Sequence, residues 1–263
     1  MDIHLLHSTY LRTARRLTIF RPRTRGPQGR LPVLYLNDGQ NLFDPARAFG
    51  GNTWRAHDIV QALVDDRVIP PLIVVGIDHG EAARAREYLP VADERNPHAR
   101  GPLGREYVDF VTREVVPFVQ RTYPVVRRAS GRGFGGSSYG AIAVLLAAIK
   151  RPGLFGRLLV ESPSLYVGGG YLLRKARRAE RWPARVYLGV GTAETRRAEV
   201  NRETVENVLE LGAILRRAGL GPRRLAVVVE EGGTHSEQAW ARRLGRAVSF
   251  LFRPTRMTMH GAL

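Results

Sequence analysis

The sequence predicts an α/β fold with a mostly parallel central sheet and helices on both of its faces. Short runs rich in Val, Ile and Leu alternate along the chain with amphipathic segments, and this alternation is typical of parallel sheets. Several runs are almost continuously apolar, as expected for strands covered on both faces. The predicted strands are residues 17–20, 32–36, 72–77, 158–160, 186–190 and 225–229.

The segments between these runs predict helices. Residues 105–122 place apolar side chains at a 3.6-residue period with charges opposite, and residues 205–215 and 240–251 show similar patterns. The loop that starts at Arg21 is rich in Pro, Gly and Arg, which indicates an exposed connection and not a domain boundary. We therefore expect residues 1–263 to form a single domain, with a loosely ordered tail at about 254–263.

The composition excludes several classes of chemistry. None of the 263 residues is cysteine, so disulfides, a cysteine nucleophile and thiolate metal sites are ruled out. The N-terminal residues lack the apolar run of a signal peptide. No stretch approaches the roughly 18 apolar residues of a membrane span. The expectation is a cytoplasmic protein without a membrane partner.

A net charge of +17 raises the question of a nucleic-acid partner. Only Lys150 and Lys175 among the 41 basic residues are lysines, and the arginines are scattered along the whole chain. The densest cluster, residues 174–185, contains few aromatic side chains, so a solvated helix face explains it better than a nucleic-acid site. We predict no nucleic-acid partner, although the positive field would favour an anionic substrate.

One motif points to a nucleophile. Residues 136–140 read Gly-Ser-Ser-Tyr-Gly, the only G-x-S-x-G in the chain, and a strongly helix-forming run follows from 141 to 150. A short strand fits before Gly135, which completes the strand, tight turn and helix that this motif requires. The alternative is a glycine-rich turn capped by Ser137 or Ser138. The motif predicts Ser138 as the nucleophile.

A serine nucleophile needs a base to remove its proton, and in this arrangement the acid and then the histidine follow the serine along the chain. Only His235 and His260 follow Ser138, and His260 lies in the predicted tail. His235 lies between the last predicted strand and the last predicted helix, where such a base belongs. The alternative is a histidine near a helix N-cap.

The candidates for the acid are limited to glutamates, because no aspartate follows Ser138. Glu194 follows the predicted strand 186–190, and Glu161 follows the strand 158–160. The later and longer strand favours Glu194, with Glu161 as the alternative. Five other glutamates are less suitable, because they lie in a helix pattern or too close to His235; they are Glu199, Glu203, Glu206, Glu230 and Glu231.

An oxyanion hole needs two preorganised N–H groups. The residue after the nucleophile, Tyr139, would supply one of them. The loop after the predicted strand 32–36, Asn-Asp-Gly-Gln-Asn, is the expected source of the other, although the same residues also suit a simple Asp-Gly turn.

With these residues assembled, the chain resembles the putative esterase family of the α/β-hydrolase superfamily, which includes esterase D and enterochelin esterases. The resemblance implies the α/β-hydrolase fold, a triad of Ser138, Glu194 and His235, and a second oxyanion donor at the Gln40 N–H. It rests on six segments taken in order, namely residues 32–44, 86–90, 136–140, 162–164, 191–194 and 233–240.

The same resemblance suggests five substrate-pocket residues. Where relatives often carry two tryptophans after Ser-Pro-Ser, this chain has Leu165-Tyr166. The aromatic candidates could equally be core packing. The suggested residues are Asn41, Trp54, Tyr88, Ser164 and Tyr166.

The predicted function is serine-dependent hydrolysis of a small-molecule carboxylic ester through an acyl-enzyme, without cofactor or metal. A siderophore trilactone esterase or an acyltransferase with the same triad are alternatives, and a non-enzymatic basic binding module is a remote one. Residues 80–104 could form a mobile cover or merely a long loop. The sequence does not indicate an oligomeric state.

Overall fold

The computed structural model describes residues 1–24, 26 and 29–254, and among them eight strands form one sheet in the order β1-β2-β4-β3-β5-β6-β7-β8. The six strands from β3 to β8 are parallel, and the β1-β2 hairpin lies antiparallel at one edge. The strands are β1 (Asp2–Ser8), β2 (Thr13–Phe20), β3 (Val33–Asn37), β4 (Ile73–Ile77), β5 (Arg132–Ser137), β6 (Arg157–Glu161), β7 (Arg185–Gly191) and β8 (Leu225–Glu230).

Each of the six predicted apolar runs coincides with an observed strand to within a residue, apart from β2, which starts four residues earlier than predicted. Strand β1 was not predicted. It is an edge strand whose outward positions include the exposed side chains of Ile3 and Leu5, so its pattern lacks the burial signal that marks the central strands.

The helices cover both faces of the sheet, which confirms the predicted fold class. Alternate residues of β3 point to opposite faces, so Val33 and Tyr35 join one core cluster while Leu34 and Leu36 join the other. The helices are α1 (Ala56–Asp65), α2 (Arg84–Tyr88), α3 (Gly104–Phe110), α4 (Val116–Thr122), α5 (Tyr139–Lys150), α6 (Val167–Ala176), α7 (Ala198–Arg217) and α8 (Glu237–Phe252).

The predicted helix 105–122 corresponds to α3 and α4, joined by one π turn at Val111–Val115. Pro117 lies in the first turn of α4 and has no N–H to donate to the preceding turn. Val111 and Val115 in the π turn are buried, so the apolar face continues from α3 to α4. The other predicted helices lie inside α5, α7 and α8.

The parallel strands place their carboxyl ends along one edge of the sheet, where ligands bind in open α/β sheets. Ser138 follows β5, Glu194 follows β7 and His235 follows β8, so residues far apart in the chain meet at this edge.

Part of the predicted tail and part of the loop after Arg21 lie outside the described residues. In the tail these are residues 255–263, with His260, and in the loop they are residues 25, 27 and 28.

Among the helices of the described residues, none combines the length and the apolar character that a membrane span requires. The single-domain organisation stays a prediction.

Gly135 lies in β5, between β3 and β6 near the centre of the sheet. In Gly135→Ala, the new Cβ would lie 2.8 Å from both Leu36 Cδ2 and Leu159 Cβ on the two flanking strands. Because neither strand can move freely, we expect the free energy of unfolding to fall by about 1–3 kcal/mol. Urea denaturation followed by circular dichroism would measure it.

Gly221→Ala is the matched control, because a Cβ there meets no atom within 4 Å. We expect a change within about 0.5 kcal/mol. Equal denaturation midpoints for the two variants would contradict the close packing inferred at Gly135.

Candidate active site

Ser138 occupies a strained turn between β5 and α5. Its backbone has φ 56° and ψ −127°, a conformation that side-chain-bearing residues rarely adopt and that costs about 1–3 kcal/mol. A Cβ on Gly136 would lie 2.9 Å from the backbone of Gly140, so only glycine allows the two ends of the turn to approach this closely. The sequence Gly-x-Ser-x-Gly therefore folds into a tight elbow with serine at its apex.

His235 lies in the loop between β8 and α8. Its Nδ1 is 2.5 Å from Oε2 of Glu194, and its ring packs edge-on against Trp240 at 5.0 Å between ring centres. The bond to the carboxylate occupies Nδ1 and fixes the ring orientation, which leaves Nε2 as the nitrogen that can exchange a proton with another group.

Glu194 is buried and accepts hydrogen bonds on both of its oxygens. Oε1 accepts from the Ser162 hydroxyl and from the Gly191 N–H, each at 2.6 Å, while Oε2 faces His235. Burial by itself would raise the pKa of Glu194, but the hydrogen bonds from His235, Ser162 and Gly191 outweigh it and hold the pKa below its usual value. Glu194 is therefore an ionised carboxylate at neutral pH.

Glu161 has a different partner. It is completely buried, and one of its oxygens lies 2.8 Å from the Arg243 guanidinium. Burial, reinforced by the nearby carboxylates of Glu194 and Glu230, raises the pKa of Glu161 to about 7 in spite of that arginine. The two glutamates that the sequence left as alternatives thus have different partners, His235 for Glu194 and Arg243 for Glu161.

Ser162 is a residue to which the sequence assigned no role. It is buried at the end of β6, with φ 41°, and its hydroxyl donates to Glu194 while it accepts from the indole Nε1 of Trp240 at 3.0 Å. The Ser-Pro-Ser segment that contains it is part of the family resemblance, but only the position of β6 beside β7 brings the Ser162 hydroxyl to Glu194.

The loop after β3 packs against the serine elbow. The Asn37 amide donates to the Gly140 carbonyl at 2.8 Å, and the buried Asp38 carboxylate forms a two-bond ion pair with Arg84 at 2.7 and 2.9 Å. The Gln40 side chain bonds to both the N–H and the carbonyl of His79. These contacts fix the loop that contains Gln40, and the Asn37 bond holds this loop against the start of α5. The N–H of Tyr139, the first residue of α5, has no acceptor within the helix.

Ser138 and His235 border the same cavity of about 480 Å³, which we call the Ser138 cavity. Of the suggested pocket residues, Ser164 and Tyr166 line it. The other lining residues include Arg95, Tyr139, Leu165, Glu194, Arg197, Val200 and Asn207.

Trp54, Tyr88 and Asn41 lie elsewhere. Trp54 packs in the core, with its ring centre 5.9 Å from that of Trp240. Tyr88 is completely buried, and its hydroxyl accepts from the Asp38 N–H. The Asn41 amide is bonded to Glu237, so this side chain braces the loop after β3 against α8.

Part of the segment 80–104 touches the Ser138 cavity. The buried Asp93 carboxylate accepts hydrogen bonds from the hydroxyls of Tyr139 at 2.6 Å and Tyr166 at 3.2 Å.

Within residues 1–24, 26 and 29–254, no group of three or more His, Asp or Glu side chains is arranged to hold a metal ion.

The sheet order, the serine elbow and the acid-histidine pair at the ends of later strands together define an α/β hydrolase. The chain belongs to the putative esterase family, whose model matches residues 8–251. It is accordingly an ester hydrolase, as the resemblance implied.

Similar proteins fit this assignment. The ferri-bacillibactin esterase BesA of Bacillus subtilis is 22% identical over 240 residues, which cover 83% of this chain and 79% of BesA. The siderophore hydrolase EstB of Aspergillus nidulans has a TM-score of 0.74 at 20% identity, covering 96% and 94% of the two chains. The enterobactin esterase FES of Shigella flexneri has a TM-score of 0.72 at 21% identity, covering 95% of this chain and 58% of FES.

Ser162→Ala tests whether Ser162 positions Glu194. The substitution removes a donor to the Glu194 carboxylate and the acceptor of the Trp240 N–H. We expect kcat to fall about tenfold, a factor that corresponds to the free energy usually lost with one hydrogen bond to a charged group. KM should change little, because Ser162 acts through Glu194. Steady-state rates on a para-nitrophenyl ester would measure both constants.

Ser130→Ala, at an exposed serine before β5, is the control and should keep the wild-type rate. A Ser162→Ala variant whose kcat matches that of Ser130→Ala would show that the Glu194 geometry does not depend on this hydroxyl.

Proposed function

We propose that this protein hydrolyses carboxylic esters through an acyl-enzyme formed on Ser138. The observation that carries the proposal is the 2.5 Å bond between His235 and Glu194 beside a strained serine elbow, with all three residues bordering one cavity. A serine hydroxyl becomes a strong nucleophile only when such a base takes its proton.

In this mechanism, Nε2 of His235 takes the hydroxyl proton as Ser138 Oγ bonds to the ester carbonyl carbon. The backbone N–H groups of Gln40 and Tyr139 stabilise the negative charge that develops on the carbonyl oxygen. His235 then gives its proton to the departing alcohol. A water molecule, deprotonated by His235, then attacks the acyl carbon. His235 returns this proton to Ser138 Oγ as the acyl–oxygen bond breaks, which releases the acid and restores the free serine.

We assign the orienting acid to Glu194 and not to Glu161. Its lowered pKa keeps it ionised at neutral pH, so it can stabilise the imidazolium that forms on His235. Glu161 bonds to Arg243, and its raised pKa makes it a poorer electrostatic partner for a cation at neutral pH.

A siderophore ester is the second candidate substrate. EstB is named as a siderophore hydrolase and BesA as a ferri-bacillibactin esterase. Two arginines, Arg95 and Arg197, border the Ser138 cavity and would favour an anionic ester. An acyltransferase would use the same residues with an alcohol in place of water. The cytoplasmic location stays a prediction.

Ser138→Ala tests the nucleophile. We expect kcat on para-nitrophenyl butyrate to fall by at least about 10³-fold, because the acyl-enzyme can no longer form. Ser137→Ala is the matched control, since it removes the neighbouring hydroxyl of the same motif and should retain most of the rate. A Ser138→Ala enzyme that keeps its rate would refute the proposal.

Glu194→Gln and Glu161→Gln test the acid. We expect Glu194→Gln to lower kcat by about 10²–10⁴-fold, because the amide cannot stabilise the imidazolium. Glu161→Gln should instead reduce stability by up to about 3 kcal/mol, because it leaves part of the Arg243 charge uncompensated. Its kcat per folded molecule should fall less than that of Glu194→Gln. The reverse order of kcat values would transfer the acid role to Glu161.

A further inference from the structure

Arg95 and Tyr166 form one side of the Ser138 cavity. The Arg95 guanidinium carbon lies 4.4 Å from the centre of the Tyr166 ring, which is close enough for a cation–π contact. The ring therefore supports the guanidinium at the cavity without using its N–H donors.

Both members of this pair are held by Asp93. One carboxylate oxygen accepts from the Tyr166 hydroxyl at 3.2 Å, and the other accepts from the Arg95 backbone N–H at 3.0 Å. Because Asp93 is buried, it fixes the ring and the start of the arginine side chain relative to the cavity before any ligand arrives.

Arg95 differs from Arg197, the other arginine at this cavity. Arg197 donates from Nε to Glu199 at 2.7 Å. The carboxylate paired with Arg95, that of Glu203, lies 3.9 Å away, beyond hydrogen-bond distance. Within the described part of the chain, the Arg95 side chain makes no hydrogen bond to a protein group, so its planar set of donors faces solvent and the cavity.

A second cavity adjoins the Ser138 cavity at Arg95. An outer cavity of about 430 Å³ between α6 and α7 shares Arg95, Tyr166 and Asn207 with the Ser138 cavity. Arg95 thus lies where the two cavities meet, and a substituent that extends away from a scissile ester at Ser138 would reach it.

We propose that Arg95 is a specificity-determining residue that binds an anionic oxygen group, such as a carboxylate, on the ester substrate. The inference rests on the proposed ester hydrolysis at Ser138. A guanidinium can give two parallel hydrogen bonds to a carboxylate, a geometry that a lysine ammonium cannot supply. Esters that carry such a group should be favoured over neutral esters of similar length.

The first test compares kcat/KM for para-nitrophenyl hemiglutarate with that for para-nitrophenyl butyrate. In Arg95→Gln we expect the ratio of anionic to neutral ester to fall about tenfold, as for the loss of a charge-assisted hydrogen bond. In Arg197→Gln, which removes the same charge from the same cavity, the ratio should change by less than about threefold, since only the general field weakens.

The second arm places the anion on the alcohol. The butyrate ester of 4-hydroxybenzoate is compared with that of 4-hydroxybenzamide by chromatography of the products, in the same three proteins. A selective loss in Arg95→Gln with either the acyl or the alcohol series supports the proposal. If Arg95→Gln changes neither ratio, or changes both no more than Arg197→Gln does, the proposal is overturned while ester hydrolysis stands.

Binding gives a readout that does not depend on turnover. Glutarate and 4-hydroxybenzoate are titrated separately into wild type, Arg95→Gln and Arg197→Gln by calorimetry. Weaker binding of either anion to Arg95→Gln alone supports the anion site even if no ester is hydrolysed, in which case only the proposed function fails. Equal binding of both anions to all three proteins overturns the inference.

Discussion

The strained backbone of Ser138 is the constraint on which the rest of the site depends. A φ of 56° at a serine is unfavourable, so the surrounding structure must hold it in place. Strand β5 lies between β3 and β6, and the Ser138 N–H donates to the Glu161 carbonyl at the end of β6. On the other side, α5 is buried over most of its length, so the turn between them has little freedom to relax.

The same fixed elbow organises its neighbours. The Gly140 carbonyl receives the Asn37 amide, which connects the helix start to the loop after β3. The hydroxyl of Tyr139, the next residue after the serine, donates to Asp93, which connects the elbow to the segment that carries Arg95. Tyr139, one of the two residues proposed to stabilise the oxyanion, and Arg95, the residue proposed to select the substrate, are therefore joined through Asp93.

Glu161, at the end of β6, and Glu194, after the adjacent strand β7, differ in their electrostatic environment. Glu194 borders the cavity and Glu161 is completely buried, and the Glu194 carboxylate raises the cost of ionising Glu161. Arg243 pairs with Glu161, and His235 faces Glu194. The Ser162 hydroxyl donates to the other oxygen of Glu194. A net charge of +17 says little about such a site, because pairing between particular side chains sets the charge of each glutamate.

The sequence by itself determined the apolar strands of the sheet, the helices α3, α4, α5, α7 and α8, and the elbow motif, because apolar periodicity and the Gly-x-Ser-x-Gly spacing are local properties of the chain. It also limited the acid to a glutamate, since no aspartate follows Ser138, and favoured the two glutamates that follow predicted strands. Only the tertiary structure showed which glutamate faces His235, that Ser162 supports it, and that Trp54 and Tyr88 are core residues. Those facts depend on which strand ends lie side by side and which rings the core encloses, and residues distant in sequence acquire such contacts only when the chain folds.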